Sequence, residues 1–288
     1  MGFGNMLKSN WIYVIFFGLY FLIAVLAFIS VPHGFWIVLA VYVVSITIAI
    51  SPIGENLLRF MNGVRRISTL QEKEYIYPLF DEVYNRAKET TPNLSDDIEI
   101  FMTDEMHVNA YAFGRNTVVV TRGLIQTMDE EQIMGILAHE FGHIVHGHTL
   151  MLLVSLIGNG IFSIFILIAR MFMFFFELML HGMDNGGGFG KFMAKMSHIM
   201  FEWSLIWVMY FVTAMLAINS RKHEYQADAY ALDIGFGEGL LNGLYIFQRM
   251  DMGRRTKIIE RITSSHPHIA YRIERLENSS IKQLTADK

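Results

Sequence analysis

The stretch from Asp129-Glu130-Glu131 through Leu137-Ala138-His139-Glu140-Phe141-Gly142-His143 to His146-Gly147-His148 decides how this chain is read. Thr127-Met128-Asp129-Glu130-Glu131 is a helix start, a capping residue followed by acids in the first turn. The helix is expected to run on to about His148. At about 100° per residue, His139, His143 and Glu140 fall at about 0°, 40° and 100°, so all three share one side. Two imidazoles four residues apart can hold one tetrahedral zinc ion, and the glutamate between them can reach a water on it. That water, with its pKa lowered to about 7, would attack a carbonyl polarised by the metal. Glu140 would take the proton and deliver it to a leaving amine. An amphipathic helix with incidental histidines is the rival reading, and the acid-rich start at the end of a soluble segment argues against it.

The third ligand is a separate question. The extended pattern His-Glu-x-x-His-x-x-Gly-x-x-His needs glycine at 146 and histidine at 149, and the chain has His146 and Thr149. The chain contains no cysteine. This excludes disulfides, thiolate zinc sites, iron–sulfur clusters and a cysteine nucleophile, and leaves His, Asp or Glu as the ligand. Glu224 and Asp228 lie one turn apart on a helix expected from about Ser220 to Asp233. A His₂Glu set leaves the fourth position open for water, as a catalytic zinc site requires. Asp228 on the same side can bond the other nitrogen of a ligating imidazole. By spacing alone, Glu224 beside Arg221 and Lys222 reads better as part of a solvated helix face than as a ligand. His146 and His148 carry no ligand assignment and are expected to be solvated or interfacial.

Outward from this segment the chain is apolar in blocks. Of its 288 residues, 53% are hydrophobic and 17% charged, against about 25% charged in an average soluble protein. A net charge of −4 gives no basic field for nucleic acid. Through residue 54 the only Asp, Glu, Lys or Arg is Lys8. Trp11 to Val31 and Phe35 to Ser51 are apolar runs separated by Pro32-His33-Gly34. Each suits a ~30 Å hydrocarbon core at 1.5 Å per residue, and Trp11, Tyr13 and Trp36 sit near their ends. They read as a transmembrane hairpin. Arg59, Arg65, Arg66 and Lys73 follow it, which assigns the segment after residue 52 to the cytoplasm. Residues 55–148 read as a soluble α+β segment. Its helix runs from Gln71 to Thr90, and its strands lie at Ile98–Met102 and Thr117–Thr121. Further apolar runs cover Thr149–Ala169 and Trp203–Asn219, with Asn159, Arg170 and Glu177 as polar interruptions in this region. They read as a second membrane hairpin, with a partly buried pair of core helices as the alternative. His139 and Glu224 share one zinc only if these runs together cross twice or not at all. Residues 220–288 return to a polar, mostly helical pattern.

Asn109-Ala110-Tyr111-Ala112, Leu137 to His143, Arg221-Lys222-His223-Glu224-Tyr225-Gln226-Ala227-Asp228, Ser265-His266-Pro267-His268 and Arg272-Ile273 together resemble the HtpX-type membrane metalloproteases. These are gluzincins related to the CAAX prenyl protease, and the resemblance covers essentially the whole chain. It implies a mainly α integral membrane protein with a zincin-like α+β catalytic domain and about four transmembrane helices in two hairpins. The domains are then residues 1–54 (first hairpin), 55–148 (first catalytic part), 149–219 (second hairpin) and 220–288 (second catalytic part). The resemblance makes Glu224 the third ligand of one Zn²⁺ per chain. It implies that His266 stabilises the tetrahedral intermediate and that Arg272 supports the acidic pair. By their neighbours alone, His266 is a helix-capping residue before Pro267 and Arg272 a surface arginine.

Asn109, Ala110, Tyr111, Ala112 and Phe113 form an extended segment able to pair with a substrate backbone in a nearly sequence-blind way; an ordinary hydrophobic hairpin edge is the alternative. The implied activity is zinc-dependent endoproteolysis of misfolded or damaged membrane proteins, a quality-control and stress-response role at the cell inner membrane. Its active site would face the cytoplasm. Its partners would be the lipid bilayer, membrane and unfolded protein substrates, and other membrane proteases or quality-control proteins, with no nucleic acid. An intramembrane protease, a transporter and a zinc-stabilised scaffold fit less well. The acids before His139 make the site juxtamembrane, transport leaves the His–Glu motif unexplained, and structural zinc needs no general base. Prenyl-protein maturation belongs to larger relatives with more spans.

Overall fold

The computed structural model describes residues 11–29, 31–158, 221–251 and 269–286, with the single positions Ile164, Ile168 and Phe172. His266, Asn159, Arg170, Glu177 and nearly all of the expected second hairpin beyond residue 158 lie outside the described residues.

Helices α1 (Trp11–Ala27) and α2 (Gly34–Ile50) form an antiparallel pair without a charged side chain. Ala24, Phe28 and Val38 are buried where they meet, and the Tyr42 hydroxyl donates to the Phe17 carbonyl at 3.2 Å. The sequence extends the first helix to Val31. In the structure it stops at Ala27 because the chain turns, with Val31 N–H donating to Phe28 O at 3.0 Å and Gly34 N–H to Val31 O at 2.9 Å. Each helix has 17 residues, about 25 Å of length. Among the described residues no single helix is long and apolar enough to cross a membrane alone. α2 and the following α3 (Pro52–Met61) pass that test together, with a bend of 70°. Ser51 makes the bend: its side chain accepts the Ile53 N–H at 3.2 Å, and Pro52 occupies the first helical position.

α3 buries Glu55 and Leu58 and leaves Ile53, Phe60 and Met61 exposed. Glu55 ties it to a four-stranded sheet. One carboxylate oxygen accepts the Arg115 N–H at 2.7 Å and the other accepts the Thr117 hydroxyl at 2.9 Å. The sheet contains β1 (Arg65–Arg66), β2 (Glu99–Thr103), β3 (Ala110–Phe113) and β4 (Thr117–Thr121), in the order β1-β2-β4-β3. β2 and β4 are parallel; the other two pairs are antiparallel, with Tyr111 opposite Val119 and Phe113 opposite Thr117. Both surfaces of the sheet are covered. Ile100, Met102, Val118 and Val120 join the main core, while Phe101, Phe113 and Val119 pack with Ala49, Leu58 and Leu153. This is why β4 is an unbroken buried run and not an alternating one. β3 lies at the sheet edge.

The main core is built around α4 (Leu70–Thr90) and α6 (Glu130–Val145), with the short α5 (Arg122–Thr127) leading in. Reciprocal capping bonds start both long helices, Thr69 with Glu72 and Asp129 with Gln132. Phe141 is fully buried, its ring 5.6 Å from Phe80 and 6.1 Å from Tyr84. The sequence carries α6 on to His148, but the helix ends at Val145. Gly147 takes the left-handed backbone (φ 72°), which terminates a helix, and α7 (His148–Leu153) starts in a new direction. The remaining described elements are α8 (residues 221–233), α9 (Gly237–Asp251) and α10 (Ile269–Ala286). α9 packs against both α6 and α10.

α6 and α8 approach closely at Gly142. A methyl group there would stand 2.8 Å from the Ala227 Cα and 3.0 Å from its carbonyl oxygen. Gly142→Ala must therefore force the helices apart. The expected cost is about 1–3 kcal/mol, seen as a melting temperature several degrees lower in thermal unfolding. An unchanged melting temperature would show that this helix contact has slack.

Candidate metal centre

Three elements far apart in sequence supply the centre. α6 carries His139, Glu140 and His143, α8 carries Glu224 and Asp228, and α10 carries Arg272. His139, Glu140, Glu224, Asp228 and Arg272 are all buried. The His139 Nε2 lies 3.2 Å from the His143 Nε2. The two Glu224 carboxylate oxygens lie 3.5 Å from His139 Nε2 and 3.4 Å from His143 Nε2. A tetrahedral ion with bonds of 2.0–2.1 Å sets its ligand atoms about 3.3 Å apart, so this triangle has the dimensions of a zinc site. Among the described residues it is the one group of three or more such side chains close enough to share an ion.

Charge also fits a dication. Glu140, Glu224 and Asp228 are three acids in one buried cluster, and Arg272 is the cation among them. Among the described residues, with the acids ionised and the imidazoles neutral as metal ligands must be, two negative charges are left over, and a zinc ion brings the set to neutrality. Buried charge without a partner is costly. Arg272 reaches Glu224 at 2.9 Å and grips both oxygens of Asp228, at 2.9 Å from Nε and 2.6 Å from a terminal nitrogen. Burial pushes the Asp228 carboxyl up, but Arg272 and His139 outweigh it and hold it below the usual carboxylate range. Burial works against the guanidinium as well, and the same carboxylates keep Arg272 charged. Asp228 also stands 2.9 Å from the His139 Nδ1, where it accepts that N–H and leaves Nε2 for the metal.

The structure therefore brings His139, His143, Glu224, Asp228 and Arg272 together, with Glu140 on the same helix between the two imidazoles. Arg272 is buried in this cluster, unlike the surface arginine its neighbours in sequence allow. The Asn109–Phe113 segment includes β3, which packs along α6. Asn109 itself is engaged with Thr121: its N–H donates to the Thr121 hydroxyl at 3.0 Å, and its carbonyl accepts the Thr121 N–H at 3.1 Å.

His148 is a correction. The sequence suggests a solvated or interfacial residue, but its side chain is buried, with relative exposure of 5%. Its ring stacks on His223 at 3.6 Å, and His223 in turn stacks on Tyr13 of α1 at 6.1 Å. The cause is the break at Gly147, which turns His148 inward where a continuous helix would carry it away. His146 is half-buried, and its ring nitrogen lies 2.7 Å from the Gly142 carbonyl. Sequence reasoning did not find His223 either. Its signal was its place next to Glu224 in the Arg221–Asp228 stretch that carries the resemblance.

His139 titrates at about 9 in the metal-free protein; burial and Arg272 push it down, but hydrogen bonds to Asp228 and Glu224 and the Asp228 charge outweigh them. It is thus protonated at neutral pH and must lose that proton to bind zinc. A pKa raised from 6.5 stabilises the metal-free fold fully below about pH 6.5, and this contribution disappears as pH rises through about 9. Zinc affinity moves the opposite way, rising about tenfold per pH unit between neutrality and pH 9. Calorimetry in two buffers of different ionisation enthalpy should find about one proton released per zinc from this group. Affinity independent of pH over that range would refute the coupling.

Residues 71–280 match peptidase family M48. The chain is 27% identical over 244 residues to the protease HtpX homolog of Aquifex aeolicus (strain VF5), a match covering 77% of this chain and 76% of that protein. It is 29% identical over 208 residues to protease HtpX of Chromohalobacter salexigens, covering 64% of this chain and 67% of the relative. In fold it resembles the crystal structure of Ste24p from S. mikatae, with a TM-score of 0.53 and 21% identity over 95% of this chain. This chain spans only 65% of that longer one. The family match runs from α4 through α10 and so takes in every helix that builds the metal centre. The chain therefore belongs to peptidase family M48 and is a zinc metalloendopeptidase.

Proposed function

We propose that this metalloprotease works from the membrane, cleaving misfolded or damaged membrane proteins at the cytoplasmic face of the cell inner membrane in a quality-control role. The carrying observation is the direct attachment of the catalytic sheet to an apolar hairpin. Trp11, Leu19, Leu22 and Leu26 of α1 and Trp36, Val43 and Val44 of α2 point outward and are exposed, which suits lipid and would be an unusually large apolar patch in water. Glu55 fixes the end of this hairpin to the turn between β3 and β4. The relatives named protease HtpX support the same reading. The chain divides into a hairpin over residues 1–54, a first catalytic part over 55–148, a second hairpin over 149–219 and a second catalytic part over 220–288. This arrangement gives about four spans.

The chemistry follows from the side chains. Zinc held by His139, His143 and Glu224 would polarise the scissile carbonyl and lower the pKa of an attacking water to about 7. Glu140 takes the proton of that water and passes it to the leaving amine. His266 donates a hydrogen bond to the developing oxyanion. Asp228 fixes the His139 ring, and Arg272 holds Asp228 and Glu224 in place. The substrate backbone lies along Asn109, Ala110, Tyr111, Ala112 and Phe113, pairing with β3 at the sheet edge, so cleavage depends on an unfolded main chain more than on sequence.

Glu140→Gln tests the proton role. Cleavage of an unfolded membrane protein by the detergent-solubilised enzyme should fall by about 10²- to 10⁴-fold while zinc content stays at one per chain. Retained cleavage, or loss of zinc, would assign the proton transfer elsewhere. Orientation has its own test, because the chain lacks cysteine. Asp97→Cys places a unique thiol on the exposed surface of the catalytic part. In intact cells stripped of their outer membrane it should resist a membrane-impermeant maleimide and react only after permeabilisation. Labelling before permeabilisation would put the site on the other side.

A further inference from the structure

We propose that His148 is a positioning residue for the metal: its Nδ1 accepts the Nδ1–H of His143 and thereby directs the His143 Nε2 lone pair to the zinc ion. This rests on the reading of His139, His143 and Glu224 as the ligands. The atom of His143 that faces the other two ligands is Nε2, 3.2 Å from His139 and 3.4 Å from Glu224. A neutral imidazole that offers Nε2 to a metal carries its proton on Nδ1. That N–H needs an acceptor, and the His148 Nδ1 stands 3.1 Å away. His148 then holds its own proton on Nε2.

The backbone and the stacking of rings fix His148 for this task. Gly147 reverses the chain at φ 72°, and its N–H donates to the Ile144 carbonyl at 3.0 Å. His148 follows as the first residue of α7. Its ring stacks on His223 at 3.6 Å with 12° between planes and lies near-parallel to His146 at 5.4 Å with 17°. The pair His143–His148 parallels the pair His139–Asp228, in which a carboxylate takes the corresponding N–H at 2.9 Å. Both imidazole ligands are thus locked in the same tautomer, one by a charged acceptor and the other by a neutral one. With a neutral acceptor at His143, the buried cluster gains no further negative charge.

Zinc competition with a chromogenic chelator tests the proposal on the full-length protein, in a Glu140→Gln background that prevents self-digestion. His148→Leu keeps the bulk and removes the acceptor, and should weaken zinc binding about 10- to 100-fold. His148→Asn puts an amide oxygen where Nδ1 stands and should recover most of that loss. His148→Gln, whose oxygen sits one bond further out, should not; it also replaces the Leu variant if that one fails to fold. The melting temperature of the metal-free variants separates loss of zinc from loss of fold. Zinc binding unchanged in His148→Leu, or weakened equally in the Asn and Gln variants, would overturn the inference. His143→Ala is the control for the ligand set. If its zinc affinity equals that of the parent, the ligand assignment itself fails, whatever the His148 variants do.

Discussion

The contact between α6 and α8 is the constraint on which the rest depends. A zinc ion needs three ligand atoms within about 3.3 Å of one another, and here they come from two helices separated by a long apolar insertion. Gly142, one residue before His143, lets the Ala227 backbone approach to a distance no side chain would allow. Ala227 lies between Glu224 and Asp228, so this one close approach sets the metal ligand and the partner of His139 together. The buried aromatic contact of Phe141 with Phe80 and Tyr84 holds α6 about a quarter-turn away around the helix. α6 is thus positioned by apolar packing on one side and commits its polar side to the metal.

That polar side is expensive to bury. Three acids, an arginine and several imidazoles share a largely buried cluster, where unpaired charge is strongly disfavoured. The cluster lowers the cost by mutual pairing, with Arg272 as the hinge between Glu224 and Asp228. In the metal-free protein the elevated pKa of His139 is part of the same compensation, since a proton partly substitutes for a cation. A bound dication offsets the remaining negative charge, so the cluster costs the metal-free fold more than the metal-loaded one, a conflict of the kind that marks functional centres.

The apolar hairpin and the metal centre are also physically continuous. Glu55 joins α3 to the turn beside the edge strand. Tyr13 of α1 stacks on His223, His223 on His148, and His148 meets the ligand His143. The apolar hairpin thus packs, ring against ring, up to the residues around the metal centre.

The sequence alone determined the elements that local rules control. The helical spacing of His139, Glu140 and His143, the acidic start of α6 and the β-branched runs at β2 and β4 are each set by neighbours within a turn or two. So is the apolar character of the first two helices. Glu224 was different: spacing favoured a solvated residue, and resemblance reversed that in favour of a ligand. Only the tertiary structure decided that its carboxylate closes a triangle with two imidazoles, because that depends on how near α8 comes to α6. The contact of Arg272 with the acidic pair was implied by resemblance alone and not by its neighbours, and the inward turn of His148 had no sequence signal. Arg272 is defined by partners on other helices. His148 is defined by one left-handed glycine that ends a helix whose hydrophobic pattern would have continued. Periodicity reports which side of an element a residue occupies, and the fold alone reports what that side meets.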